Sequence, residues 1–268
     1  MKKLISVLVA AALLALCLAG CGAGSDRKTI TVGASSTPHA EILEQVKATL
    51  AEQGYDLQIK VYDDYVMPNT ATEDGELDAN YFQHQPYLTE FNEENGTHLV
   101  SIAAIHYEPY GIYAGTAASL DKLKEGDKIA VPNDATNEAR ALQLLAANGL
   151  IELDPDAGLE ATVKSITANP KNFDIVEMEA ALITTVMDEF GVAVVNGNYA
   201  IEAGLRVSEA LAVEDKDSEA ANTFANILVV KEGNEENEGL KALAAALQTE
   251  AVRTYIENTY DGAVVAKF

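Results

Sequence analysis

Residues 28–54, KTITVGASSTPHAEILEQVKATLAEQG, decide the fold. The first seven, KTITVGA, read as a strand. The remainder reads as a helix. Thr37 is a candidate N-cap, Pro38 suits the first helical position, Ile42, Val46 and Leu50 recur at helical spacing, and Gly54 ends the run. A strand feeding an amphipathic helix is the unit of an α/β protein, and the unit recurs. DLQIKVY (56–62), ELDANYF (76–82) and HLVSIAAI (98–105) read as further strands. Beyond YEPYGIYAG the alternation restarts with strand KIAVPND (128–134) and helix TNEARALQLLAANG (136–149). Strand FDIVEME (173–179), helix AALITTVMDEF (180–190) and strand VAVVNGN (192–198) continue it. Strand FANILVV (224–230) and two closing helices in residues 238–260 end the chain. This pattern predicts α/β layers with mainly parallel sheets. It also predicts two lobes, 29–108 with 223–268 and 109–222, joined by crossings near residues 107–113 and 222–226. Small ligands of such proteins bind in the cleft between lobes, at the carboxyl ends of strands.

The N-terminus supplies an address. MKKLISVLVAAALLALCLAGC places two lysines before an apolar run and small residues, the pattern of an export signal over residues 1–20. LAGC, ending at Cys21, resembles a bacterial lipobox, in which the cysteine is lipidated and becomes the mature first residue. Residues 21–28 have the composition of a short tether. The chain has two cysteines, Cys17 and Cys21. One leaves with the signal and the other carries lipid, so no disulfide is expected and stability must come from the core. The formal charge is −24, and it becomes −26 without Lys2 and Lys3. So acidic a chain is a poor ligand for nucleic acid or anionic lipid. Membrane attachment through Cys21 alone, and a monomer, are expected.

The usual catalytic signatures are missing. There is no Gly-rich phosphate loop, no Gly-x-Ser-x-Gly and no cysteine beyond Cys21. The four histidines, His39, His84, His98 and His106, lack close metal-ligand spacing, although His39, His84 and His106 could converge in space. No catalytic residue, metal or cofactor is therefore assigned.

Other stretches suggest binding. NYFQHQPYL (80–88) gathers three aromatics and a histidine among amides in a chain with eleven Tyr, six Phe and no Trp. One reading is core packing with solvated amides; the other turns Phe82, His84 and Tyr87 toward a cleft, with Tyr81 and Leu88 in the core. In PNDATNEARALQLL, Asn137 and Arg140 share one face near a helix start. Arginine is unfavourable beside the positive end of a helix dipole. A ligand carboxylate is the reading preferred here as the answer to that conflict, with a salt bridge to one of 42 acidic residues as the alternative. In VVNGNYA, Asn196 ends a strand, with ligand contact or turn chemistry as alternatives. Asn226 opens a strand near the second crossing. His106 and Glu108 flank the first crossing, where Glu108 faces an amine or pairs with a lysine.

PHAEIL, DYVMPN, GELDANYFQHQPYL, HYEPYGIY, VPNDATNEARALQLL, NPKNFDIVEMEAA and VVNGNYA together resemble the methionine-binding lipoprotein family of ABC importers (NlpA/MetQ), in order, from about Ile30 to Phe268. The resemblance implies a type II periplasmic-binding fold and an extracytoplasmic receptor for methionine uptake. It implies docking onto a membrane permease with a cytoplasmic ATPase. Sulfur packs favourably on aromatic rings, at roughly 0.3–1.5 kcal/mol per contact. Tyr65, Phe82, His84, Tyr87 and His106 are then expected to hold the thioether tail. The resemblance points to Arg140 for the carboxylate, with Asn137, Asn196 and Asn226 completing the polar end and Glu108 facing the amine. A methionine-containing dipeptide or another apolar amino acid is the alternative ligand. A metal-dependent hydrolase and an adhesive surface lipoprotein are the readings from other classes.

The anchor is testable on its own. Wild-type protein is expected to fractionate with membranes, and Cys21→Ser to yield soluble protein or uncleaved precursor. An unmodified Cys21 in the intact mass of mature protein from its native host would refute the lipobox reading.

Overall fold

The computed structural model describes residues 27–216 and 220–268. The expected signal, most of the tether and Cys21 lie outside the described residues. Lys28, the last residue assigned to the tether, already opens the first strand, paired with Tyr55.

In chain order the first half runs β1 (Lys28–Ala34), α1 (Glu41–Glu52), β2 (Tyr55–Val61), α2 (Met67–Glu73), β3 (Ala79–His84), α3 (Gln85–Asn95) and β4 (Leu99–Tyr107). After a crossing come β5 (Gly111–Ala114), β6 (Lys128–Pro132), α4 (Ala135–Ala147), β7 (Glu152–Leu153), β8 (Ile166–Ala168) and β9 (Asp174–Met178). The run α5 (Ala180–Val186), β10 (Val192–Val195), α6 (Gly197–Glu202) and β11 (Ala212–Val213) completes this part. The chain then returns through α7 (Ala220–Thr223), β12 (Asn226–Lys231), α8 (Glu238–Leu247), α9 (Glu250–Thr259) and β13 (Val265–Ala266).

Two sheets result. The first has the order β13-β4-β12-β3-β1-β2 and the second β11-β5-β10-β6-β9, with β7 and β8 forming a small separate pair. Each sheet with its helices is one lobe. The chain passes from the first to the second between Tyr107 and Gly111 and returns between Val213 and Asn226. Neither sheet is mainly parallel, which corrects the expectation. β1 runs parallel to β2 and β3, but β12 is antiparallel to both β3 and β4. In the second sheet β10 is parallel to β6 but antiparallel to β5. The reason is the crossings. β12 enters the first sheet from the far lobe, so its direction is set by where the chain comes from rather than by a βαβ turn.

The cores follow from periodicity. Ile42, Leu43, Val46 and Leu50 of α1 pack on Ile30, Val32 and Ala34 of β1, with Leu240, Leu243 and Leu247 of α8 in the same cluster. Burying each such leucine contributes roughly 1.5–3 kcal/mol. In the second lobe Val192 and Val194 face one cluster and Ala193 and Val195 another. A strand covered on both faces has no reason to alternate, hence VAVV.

The start of α1 differs from expectation. Thr37 takes an extended conformation (φ −141°, ψ 144°), but its hydroxyl is buried without a protein partner and caps nothing. Pro38 follows it across a cis peptide, and residues 36–40 form a wider turn before the regular helix.

β3 resolves the oddity of NYFQHQPYL. Every residue from Ala79 to His84 is buried. His84 ends the strand and its Nδ1 accepts the Tyr87 N–H at 3.2 Å, capping α3. The pairing with β12 shifts register so that Tyr81 and Gln83 have partners and Phe82 does not. This bulge puts Asn80 and Gln83, three apart, within bonding distance of each other. The amides are therefore not solvated. Gln83 Nε2 donates to Asn80 Oδ1 (2.8 Å) and Asn69 Oδ1 (2.5 Å). Asn69 Nδ2 returns a bond to Gln83 Oε1 (2.9 Å), and Asn80 Nδ2 donates to Asn69 Oδ1 (3.0 Å) and Thr72 Oγ1 (2.8 Å). Only Gln85 reaches solvent. Tyr81 and Leu88 are core residues.

Asn69 is the hub of that amide network and is fully buried. Asn69→Ala leaves donors and acceptors of Asn80 and Gln83 short of partners, a loss of about 1–3 kcal/mol. Urea unfolding should show a lower midpoint with an unchanged slope. An unaltered midpoint would mean that the network contributes nothing net.

Candidate functional site

Between the lobes lies a pocket lined by residues of both. The first lobe contributes Tyr65 from the turn before α2, Phe82, Gln83 and His84 from the end of β3, Tyr87 from α3, and Asn226 from the first position of β12. Glu108 reaches in from the first crossing. The second lobe contributes Asn137 and Arg140 from α4, and Asn196, Gly197 and Asn198 from the β10–α6 junction. Of the residues expected from sequence, His106 alone does not line the cavity. It is fully buried one layer behind Glu108. Gln83, Gly197 and Asn198 line it without having been expected.

The apolar wall is a ring cluster. The Tyr65 ring centroid lies 5.8 Å from Phe82, 5.9 Å from Tyr87 and 5.1 Å from Tyr199. Phe91 stacks behind Tyr87 at 6.2 Å. These are edge, tilted and offset packings that favour the ring quadrupoles.

Hydrogen bonds span the lobes, so the cleft is closed. Tyr65 O–H donates to Asn198 Oδ1 at 2.5 Å, and Tyr199 O–H donates to the Asp63 carbonyl at 3.0 Å. His84 Nε2 lies 3.2 Å from Asn137 Oδ1. Because Nδ1 of His84 accepts the Tyr87 N–H, Nε2 carries the proton and donates. Asn137 Oδ1 also accepts from Asn196 Nδ2 (3.2 Å), while Asn137 Nδ2 donates to Asp134 Oδ1 (2.8 Å). Asn198 Nδ2 is buried with no protein partner.

Behind the cavity a buried chain links Tyr81, His106, Glu108, His39 and Asn226. Tyr81 O–H donates to His106 Nδ1, which leaves the His106 Nε2 proton to bond Glu108 Oε1 at 2.7 Å. His39 Nε2 lies 2.9 Å from Asn226 Oδ1 and 3.5 Å from Glu108 Oε1. Burial holds these histidines neutral, His39 near about 4 and His106 near about 3, and burial with the Arg140 charge holds His84 near about 3. Burial pushes the Glu108 carboxyl up, against the pull of His39, Arg140 and the Asn198 N–H. Gly197 is small for a reason of space. A Cβ there would stand 2.5 Å from Glu108 Cβ and 2.7 Å from its Oε2.

His39 and His106 do converge, but with Glu108 rather than His84, their ligand atoms lying within 4.8 Å of one another. A tetrahedral zinc site holds its ligand atoms about 3.3 Å apart. The 2.7 Å separation of His106 and Glu108 is that of a hydrogen bond.

Arg140 is held on several sides. Its Nε donates to Glu214 Oε1 (2.8 Å), and its Nη2 donates to Glu214 Oε2 (2.6 Å) and to the Glu108 carbonyl (2.9 Å). The guanidinium lies 4.4 Å from the Tyr110 ring centroid and 4.3 Å from that of Phe224. Burial works against its charge, and Glu214 more than offsets that. The dipole conflict read from the sequence is thus answered by a salt bridge within the chain. Glu214 sits past β11, and no local signal around Arg140 points to it.

The comparisons with known proteins agree with this architecture. The methionine-binding lipoprotein MetQ of Bacillus subtilis is 41% identical over 273 residues, covering 99% of this chain and 98% of that protein. The crystal structure of lipoprotein Tp32 from Treponema pallidum matches with a TM-score of 0.84 at 41% identity, covering 90% of this chain and 99% of that one. A nutrient-binding protein from Burkholderia cenocepacia, bound to methionine, matches with a TM-score of 0.83 at 37% identity over 89% of this chain and all of that one. The model of the NlpA lipoprotein family matches residues 30–268, and the chain belongs to that family.

Proposed function

We propose that this protein is the extracytoplasmic receptor of an ABC importer and that methionine is its ligand. It is held at the membrane by lipid on Cys21 and hands its cargo to a permease with a cytoplasmic ATPase. Among the described residues no helix is long and apolar enough to cross a membrane. The observation that carries the reading is the cavity itself. One closed space has an aromatic wall of Tyr65, Phe82 and Tyr87 and, facing it, a wall of amides and charges. That division matches an amino acid with a polarizable apolar tail. His84 joins the two walls. Asn226, Asn196, Asn137 and the Asn198 amide meet the head group, and Glu108 meets the ammonium. Arg140, whose Nε and Nη2 hold Glu214 and the Glu108 carbonyl, offers its charge to the carboxylate. Closure follows from ligand contacts made to both lobes at once, which favour the closed state over the open one.

Protein stripped of ligand by unfolding and refolding should gain thermal stability from methionine, tested as both enantiomers, and none from glutamate, lysine or glucose. A hundredfold excess over Kd corresponds to about 2.7 kcal/mol. Stabilisation by a methionyl dipeptide without any by methionine would move the ligand to the peptide.

Point variants separate head from tail. Asn226→Ala should lower methionine affinity about ten- to a hundredfold. Phe82→Ala should weaken methionine while sparing alanine relatively. Arg140→Ala is a poor probe, since it orphans the buried Glu214 and costs about 3–5 kcal/mol of stability. Calorimetric titration beside urea unfolding tells lost binding from lost fold.

A further inference from the structure

Not every contact between the lobes passes through the cavity. Tyr199, on α6 of the second lobe, is 7% exposed and is not among the residues that line it. Its O–H donates to the backbone carbonyl of Asp63 in the first lobe at 3.0 Å. Its ring lies 5.1 Å from that of Tyr65, with the planes 32° apart. Tyr65 is shared between two apolar clusters. In the first lobe it packs against Phe82, Tyr87 and Phe91, and in the second against the cluster that contains Tyr199, Ala180 and Val195. The receiving turn, between β2 and α2, is fixed within its own lobe. Tyr62 N–H donates to the Ala34 carbonyl at 2.9 Å, the Asp64 carboxylate accepts the Val66 and Met67 N–H groups at 2.7 Å each, and Tyr87 O–H donates to the Tyr65 carbonyl at 3.0 Å. The Asp63 carbonyl is therefore presented in place, and Tyr199 meets it when the lobes come together. A surface depression lined from both lobes by Asp64, Tyr65, Glu179 and Tyr199 borders the contact, so water reaches it as soon as the lobes part. A hydrogen bond between parts that separate on opening acts on the closing equilibrium and not on the contact with the ligand. Observed affinity is the affinity of the closed form scaled by how readily that form is reached. Loss of such a bond raises the dissociation constant of every ligand by one factor. Because the bond must break before the ligand leaves, that factor falls on the release rate.

We infer that Tyr199 is a latch that sets how long the closed cleft keeps its ligand, without touching that ligand. The inference rests on the reading of the protein as a methionine receptor and adds a positioning residue to it. Ligand contacts choose which molecule closes the lobes. The bond from Tyr199 to Asp63, with the Tyr65 ring seated between two aromatic clusters, holds them shut. Tyr199→Phe keeps the ring and its packing and removes the donor. The net worth of one neutral hydrogen bond corresponds to about two- to tenfold in affinity.

Stripped wild type and Tyr199→Phe are compared by calorimetric titration and by release of radiolabelled ligand into an excess of unlabelled ligand. The ligands are methionine and norleucine, which has a methylene in place of the sulfur. Both should weaken by the same factor of about two- to tenfold. Release should quicken by that factor while the association rate stays the same. The urea midpoint of the stripped variant should equal that of stripped wild type, because the latch is open there. A methionine Kd within about twofold of wild type overturns the inference, as does a loss carried by the association rate. A lower urea midpoint in the stripped variant would mean that the bond is made in both states, and a different factor for norleucine would mean that Tyr199 sorts ligands; either overturns it. In all of these cases wild type still binds methionine and the receptor reading stands. If wild type binds no methionine, the receptor reading fails and the latch fails with it. Should Tyr199→Phe not fold, Tyr65→Phe takes its place, since it removes the neighbouring bond to Asn198 Oδ1 and keeps the ring. The same equal loss through release is then expected, and an unequal loss or none overturns the inference.

Discussion

The buried ion pair of Arg140 and Glu214 is the contact on which the geometry of both crossings depends. Arg140 belongs to α4 in the second lobe. Its Nη2 bonds the backbone of Glu108 at the first crossing and the carboxylate of Glu214 at the second. Glu214 in turn accepts from Tyr107 O–H at 2.6 Å and from the Tyr110 N–H at 3.0 Å. Taking two charges out of water is expensive, and mutual attraction offsets it only with good geometry and satisfied hydrogen bonds. Here the guanidinium is bidentate and lies between two aromatic faces, and the carboxylate has further donors. The result is a fixed joint at which two separate chain passages meet one helix.

That joint determines what the cavity can offer. Glu108, whose backbone carbonyl the Arg140 guanidinium also holds, has its carboxylate set by two neutral histidines, His106 and His39, in a chain of polar groups reaching back to Tyr81. The same carboxylate could not approach α6 if residue 197 carried a Cβ. Charge, tautomer and steric clearance at this one residue therefore come from β3, β4, the turn before α1 and the second lobe together.

The bulged pairing of β12 with β3 and β4 serves the site more than the sheet. Asn226 stands opposite both His84 and His106 in register, which places the start of β12 at the floor of the cavity. A register shift just beyond it leaves Phe82 unpaired at the cavity wall and the amides of Asn80 and Gln83 to satisfy each other with Asn69. Bulges next to functional sites re-aim side chains in this way. The cost is a buried polar layer that must be bonded throughout, and it is.

Much of this was legible in the sequence, because periodicity, caps and breakers are local. Strand and helix assignments around β1, α1, β6, α4 and β10 needed only neighbours along the chain, and the aromatic–amide stretch at 80–88 marked one wall of the site. The short helices at 67–73 and 85–95 escaped notice, since a proline and a histidine cap start them without a long apolar stripe. Strand direction escaped too, because β12 reads the same whether it runs parallel or antiparallel. Sequence by itself determined the α/β class and, with the family resemblance, most of the residues that face the cleft. Tertiary structure alone decided that Arg140 pairs with Glu214, 74 residues away, that His39 meets Asn226, 187 residues away, and that His106 lies behind Glu108 rather than beside the ligand space. The physical reason is that hydrogen-bond and ion-pair partners are chosen by distance in space. The chain brings such distant residues together only after both crossings and the β12 register are in place.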